Sequence, residues 1–314
     1  MPKEKIHFMG ILANVDSSIL NVKLDHGFVI EAQSENELVN LIANFDEISP
    51  RRASEKLYMQ VPCLNADEKA GYVIKNSFEV DKRNNKSSIS FSDSADFNTI
   101  FVHEYLDNQI RLMLLFREGN IRMPIRYYYK VEDGTPKLLG WLGTVLHVLT
   151  YPKYKLEEFE ISDLQKFIQK TELPFSEDFL QFAFENFELS YQIHNASLSF
   201  LSLMNGLESL FNPSDGELRY RISRNTAAFL GKDKEDSKKI SKDIRDLYDK
   251  RSKIVHTGKS NVVDREDVLK LRDYVRESIK EINKIGKNKD ELLDMLTSTG
   301  FGGWEKIDRN GGVP

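Results

Sequence analysis

Arg251 and His256 are the residues whose types and spacing could do chemistry in this sequence. A guanidinium stays charged and offers a planar fork of donors that fits a carboxylate or a phosphate. An imidazole titrates near neutrality and can take up or release a proton. Arg251 also stands where the pattern asks for Leu or Ile. Ile240, Ile244, Leu247 and Tyr248, Arg251, then Ile254 and Val255 recur every three or four residues, the spacing of one helix face. Burying an unpaired guanidinium is costly, so one on a packing face needs a partner or a task.

The element that must position both residues is the helix that this pattern describes. Thr257-Gly258 follows directly, and glycine supplies the left-handed turn that stops a helix. At about 100° per residue, positions five apart point roughly 140° away from each other. One helix does not easily aim Arg251 and His256 at the same atom. Two copies related by a two-fold axis can, because each brings the same helix end to a shared cleft.

Tyr248, Arg251, Ser252, Val255 and His256, with Thr257 inserted before Gly258, resemble a known signature. It is the Arg-x4-His motif of the HEPN domain, in the Tyr-x-x-Arg-Ser-x-x-Val-His-Gly form of its Apea-like branch. Residues 205–211 (Asn-Gly-Leu-Glu-Ser-Leu-Phe) and 219–230 (Arg-Tyr-Arg-Ile-Ser-Arg-Asn-Thr-Ala-Ala-Phe-Leu) extend the resemblance in the expected order, and it covers about 176–287. It implies an all-α bundle that acts on RNA as a homodimer without metal or other cofactor, often in defence against phage. Carried over by motif, His256 is the acid/base and Arg251 the phosphate clamp. Ser252 fills a slot where active relatives more usually have Asn, Asp or His. Glu208 and Arg224 are candidates to face the same end.

The chemistry suits those residue types. Attack of a ribose 2′-hydroxyl on the adjacent phosphorus needs a proton acceptor, and the leaving 5′-oxygen needs a donor. The phosphorane's added negative charge can rest on a guanidinium. The expectation is a metal-independent endoribonuclease. Two alternatives stay open. One is a HEPN module that binds RNA or a nucleotide without cutting, its His256 capping the helix and its Arg251 paired with Asp249 or Glu208. The other is a helical dimerisation adaptor. The toxin type with a modified Tyr two residues beyond the His does not fit, because Gly258 stands there.

A composition 40% hydrophobic and 30% charged is that of a soluble globular chain, and 314 residues allow two domains. The net charge of −5 argues against a general nucleic-acid coat, but the charge is uneven. Residues 217–287 hold 20 Lys/Arg against 13 Asp/Glu, the rest 24 against 36. Solvated helix faces of mixed charge account for this most simply, and a phosphate-attracting surface on the helical C-terminal half is the alternative. No apolar run reaches the roughly 20 residues that span a bilayer. The charged N-terminus lacks a signal core, and the single Cys63 suits a reducing compartment. The expected location is cytoplasmic, with no membrane partner.

The fold class expected is α+β, a mainly β domain over 1–155, a helical HEPN bundle over 156–288 and a tail over 289–314. Residues 5–12, 20–24, 28–32, 72–80, 110–116 and 125–131 read as strands, 36–45 as a helix and 81–88 as a polar loop or hairpin tip. Helices are expected at 157–170, at 176–211 with Ser176 as cap and a bend near Asn195 or Gly206, at 217–230 and at 264–285. Residues 232–239 read as a charged connection and 290–296 as a single turn. Tyr127-Tyr128-Tyr129, flanked by Arg122, Arg126 and Lys130, has the composition of a base-stacking platform. Consecutive strand residues alternate faces, which favours a half-buried strand instead. His7, His26, His103, His147 and His194 read as structural or surface residues, since no metal-ligand spacing occurs. The first domain is expected to sense a trigger, and the resemblance implies a phage-derived one.

Overall fold

The computed structural model describes residues 3–61, 70–81, 99–144, 152–212 and 216–299. The chain forms two compact units, Met1–Thr171 and Glu172–Pro314. In the first, strands β1 (Lys3–Ala13), β2 (Val29–Ser34), β3 (Ala70–Asp81), β4 (Arg122–Glu132) and β5 (Thr135–Gly143) make an antiparallel sheet in the order β2-β3-β1-β4-β5. Helices α1 (Glu35–Asp46) and α2 (Pro50–Gln60) cover one face, where Met9, Ile11, Val73, Ile125 and Tyr127 meet Leu38, Ile42, Phe45 and Leu57. Helix α3 (Thr99–Phe116) lies on the other face, its His103 against Tyr128 and its Tyr105 stacked on Phe28. The alternation along β4 thus sends Tyr127 and Tyr128 to opposite cores. Tyr129 is half-buried and stacks on His7, so the three rings form no common platform.

Three expectations in this unit need correction, and the sequence reading lacks helix α2. Residues 20–24 are not a strand, because a 3-10 turn, Ser17–Asn21, is nucleated by Asp16 accepting from the Ser18 amide. Residues 110–116 are the last turns of α3. A continuous apolar run cannot separate a buried strand from a helix buried on most sides, and Leu112 to Leu115 are all buried. Helix α2 has few apolar residues to mark it in the sequence; Ser49 caps it and Pro50 opens it. Helix α4 (Glu158–Lys170) belongs to this unit rather than to the bundle. Phe167 packs on Phe116, Glu160 pairs with Arg117, and Gln165 donates to the Lys23 carbonyl. Residues 82–88 of the expected loop lie outside the described residues, as does 145–151 of the apolar run that begins in β5.

The second unit holds α5 (Asp178–Gln192), α6 (Ala196–Phe211), α7 (Leu218–Leu230), α8 (Lys234–Thr257), α9 (Arg265–Ile285) and α10 (Lys289–Ser298). The expected 176–211 helix is two. The chain turns extended at Ile193, and Asn195 then caps α6 by accepting from the Leu198 amide. Glu177, not Ser176, occupies the cap position of α5. Gly206 lies within α6, where a Cβ would stand 3.2 Å from the Ala183 carbonyl oxygen and hold α5 away. Residues 234–239 are the first turns of α8, capped by Asp233, which shortens the expected connection. Beyond Gly286, α10 is a ten-residue helix that buries Leu292, Leu293 and Leu296, longer than the single turn expected.

Helix α9 carries two buried arginines. Arg272 donates to the carbonyl and hydroxyl of Ser190, lies over the Tyr191 ring at 4.0 Å and faces the Ser199 hydroxyl on α6. Arg276 pairs with Asp273 and donates to the Tyr191 hydroxyl. These contacts tie α9 to α5 and α6 where a purely apolar seam would allow sliding.

Candidate functional site

Helix α8 runs unbroken through both chemistry-bearing residues. Its buried stripe of Ile240, Ile244, Leu247 and Tyr248 continues through Arg251 to Val255, which is 51% exposed. Cover is therefore lost over the last two turns, and Arg251 sits at the edge of the packed region. Gly258, at φ 67°, ends the helix by donating its amide to the Ile254 carbonyl.

Ion pairs fix α8 laterally. Arg219 at the start of α7 makes a forked pair with Asp249, at 2.7 Å for both Nε and Nη2. Lys250 reaches both Asp267 oxygens on α9 at 2.5 and 2.6 Å. Neither pair stood out in the sequence, because the helix phase does not tell which neighbouring helix lies across. The same ambiguity left the partner of Arg251 open between Asp249 and Glu208. It is Glu208.

Arg251 Nε faces Glu208 Oε1 of α6 at 3.3 Å, with side chains 23% and 19% exposed. This is a charge contact rather than a hydrogen bond, since that buried carboxylate oxygen has no hydrogen-bond partner among the described residues. The guanidinium also lies 5.5 Å from the Tyr248 ring. Burial pushes the Glu208 carboxyl above the usual carboxylate range, and Arg251 opposes the shift. Burial, then the Glu208 charge, raises the Tyr248 phenol. Among the described residues Arg251 has no other contact, and part of its side chain reaches solvent.

His256 is exposed in the final turn and engages no described residue. Ser252 is half-buried, with no hydrogen bond among the described residues. Arg224 goes elsewhere. Its guanidinium donates to the carbonyls of Leu296 at 2.7 Å and Thr299 at 2.6 Å, closing the end of α10. Of the five residues singled out, the structure joins Arg251 with Glu208, sets Ser252 beside Arg251 on the helix, and turns His256 outward. Among the described residues no group of His, Cys, Asp or Glu is placed to hold a metal ion, and no helix is long and apolar enough to cross a membrane.

The first unit contains a cluster that sequence reasoning missed. Arg126 Nη1 donates to His103 Nδ1 at 2.7 Å, the same guanidinium pairs with Asp107, and Tyr128 Oη lies 3.3 Å from His103 Nε2. Accepting at Nδ1 places the ring proton on Nε2. Burial, then Arg126, lowers the His103 pKa, while Asp107 opposes. His103 and Asp107 are one helical turn apart, a signal visible only once α3 is read as a helix.

Comparison with known proteins returns nothing: no family model, no curated protein and no solved structure matches this chain.

Proposed function

We propose that the second unit is a HEPN-type endoribonuclease that cuts RNA by attack of the 2′-hydroxyl, without metal, and works as a homodimer. The observation that carries this reading is the state of Arg251 and His256. One partly exposed guanidinium is held against Glu208, and one exposed imidazole engages no described residue on the same helix end. The motif resemblance adds to it. In the reaction the 2′-oxygen bonds to phosphorus as its proton passes to a base. The P–O5′ bond breaks, and the 5′-oxygen takes a proton. His256 serves as the base when neutral or as the acid when charged, with water in the remaining role. Arg251 holds the non-bridging oxygens as their charge grows. The products are a 2′,3′-cyclic phosphate and a 5′-hydroxyl.

The cell-level role that goes with this reading is defence against phage, with the sheet-containing unit sensing the trigger in the cytoplasm. The test is incubation of the full chain with RNA in EDTA, followed by analysis of the ends. Cyclic phosphate ends that disappear with His256→Ala support the reading. Ends that do not differ between the wild type and the Arg251→Ala and His256→Ala variants overturn it. One observation favours a second reading, a module that binds RNA without cutting. Arg251 already has a counter-ion in Glu208, as a structural arginine would. RNA binding that survives His256→Ala, with no cleavage by the wild type, would establish that reading instead.

A further inference from the structure

We propose that the cleft between the 3-10 turn Ser17–Asn21 and helix α4, in the first unit, binds a short extended peptide segment that carries one cationic and one anionic group. The cleft has a volume of about 670 Å³, within the roughly 300–1,000 Å³ of small-ligand sites. It gives the sensing proposed for this unit a place. Its test reads binding and not cleavage, so it stands or falls apart from the nuclease reading.

The two walls of the cleft are tied to each other at two points. The Leu156 amide donates to Ser18 Oγ at 2.9 Å, and Gln165 Nε2 donates to the Lys23 carbonyl at 3.1 Å. Buried Ile19 and Val22 anchor one wall; buried Leu164 and the packing of Phe167 on Phe116 anchor the other. A cleft stapled in this way has little left to order when a ligand enters.

The groups that face the cleft decide what it takes. Glu158, Ile161, Ser162 and Gln165 recur three or four residues apart on one face of α4, and Asn21 and Lys23 line the cleft from across. Among the described residues Lys23 and Glu158 have no ion-pair partner, and the side chains of Asn21 and Ser162 make no hydrogen bond. One ammonium balances one carboxylate, so the cleft does not select a ligand of a single sign such as a phosphate chain. A carboxamide offers both a donor and an acceptor, as a peptide group does, so Asn21 and the Gln165 carbonyl match main-chain N–H and C=O groups. Leu156 and Ile161 give apolar footing between the charges. No aromatic ring is among the described residues that line the cleft, which leaves a nucleobase nothing to stack on. A peptide with opposite charges meets all of these conditions.

The test uses the full chain and labelled synthetic peptides of Ala and Leu, each with a single Lys and a single Glu. Separations of about one to five residues, in both orders, cover the reach of an extended segment across the cleft. Fluorescence anisotropy is expected to show binding for one order over a narrow range of separations. Lys23→Glu or Glu158→Lys should weaken it about tenfold or more by setting like charges together, and Ser162→Trp should do the same by filling the cleft. The Lys23→Glu/Glu158→Lys double variant should recover binding for peptides of the opposite order. All three positions are exposed, so the fold tolerates these changes, and circular dichroism checks that it does. The proposal is overturned if no charged peptide binds more tightly than an uncharged Ala/Leu control, or if the single variants leave binding unmoved. Tighter binding of ribose 5-phosphate than of any peptide overturns it as well.

Discussion

At the scale of single residues, the proposed function gives Arg251 and His256 different tasks in one transition state. Loss of the proton-transfer group in His256→Ala is expected to lower the cleavage rate about 100- to 10,000-fold. Arg251→Lys keeps the charge but loses the fork, and is expected to recover only a small part of what Arg251→Ala loses. Initial rates on one RNA check both, with circular dichroism to establish folding. Glu208 makes a separate prediction about pH. Its folded pKa is raised, so the folded state holds the proton more tightly than the unfolded chain does. Its contribution to stability is full below the ordinary carboxylate range and is lost as pH rises through the raised value. The melting temperature of Glu208→Gln, which cannot titrate, should lack that decline; equal slopes for the two proteins from pH 4 to 7 would refute it. His103 has the opposite sign. Its pKa is lowered, so its contribution is present above about 6.5, the ordinary value for histidine, and is lost as pH falls below that. His103→Gln should therefore lose less stability than the wild type between pH 7.5 and 5.5.

At the scale of elements, the α5–α6 crossing controls where Glu208 stands, and hence how Arg251 is braced. Gly206→Val places methyl groups against the Ala183 carbonyl and is expected to destabilise the bundle by about 1–3 kcal/mol. Arg272→Ala removes the donor that reaches the Ser190 hydroxyl and carbonyl and the Ser199 hydroxyl, together with the stacking on the Tyr191 ring, at an expected loss of about 3 kcal/mol. Urea denaturation measures both. The helices that frame the site were legible in the sequence because their apolar residues recur at helical spacing and Gly231, Gly258 and Gly286 punctuate them. What the periodicity could not supply was the partner across each face. Arg251 to Glu208, Arg219 to Asp249 and Lys250 to Asp267 depend on packing between helices distant in sequence. Arg224 had the same residue type and setting as a site arginine, yet closes the α10 end, because nothing local marks a guanidinium that will meet carbonyls over 70 residues away. The first unit was read least well where burial on both sides removes amphipathic contrast, as in the last turns of α3.

At the scale of the whole molecule, the division at Thr171 makes residues 172–314 a candidate for independent folding. The expectation is that this fragment expresses as a helical dimer and cleaves RNA, while the full chain differs from it in regulation or target choice. Analytical ultracentrifugation and a cleavage assay on the two proteins check this, and an unfolded fragment would refute the independence of the units. The excess of Lys and Arg is confined to residues 217–287; residues 172–314 as a whole hold 23 Lys/Arg against 25 Asp/Glu, so net charge does not distinguish the two units.

The most direct test of the central claim changes one atom of the substrate. An RNA oligonucleotide that the wild-type chain cuts at a known position is resynthesised with a single 2′-deoxy nucleotide 5′ to the scissile phosphate. If the 2′-oxygen is the nucleophile, cleavage at that bond is abolished in EDTA while neighbouring sites are still cut. Cleavage of the deoxy bond at an unchanged rate would contradict the account, because the attacking oxygen would then have to come from elsewhere.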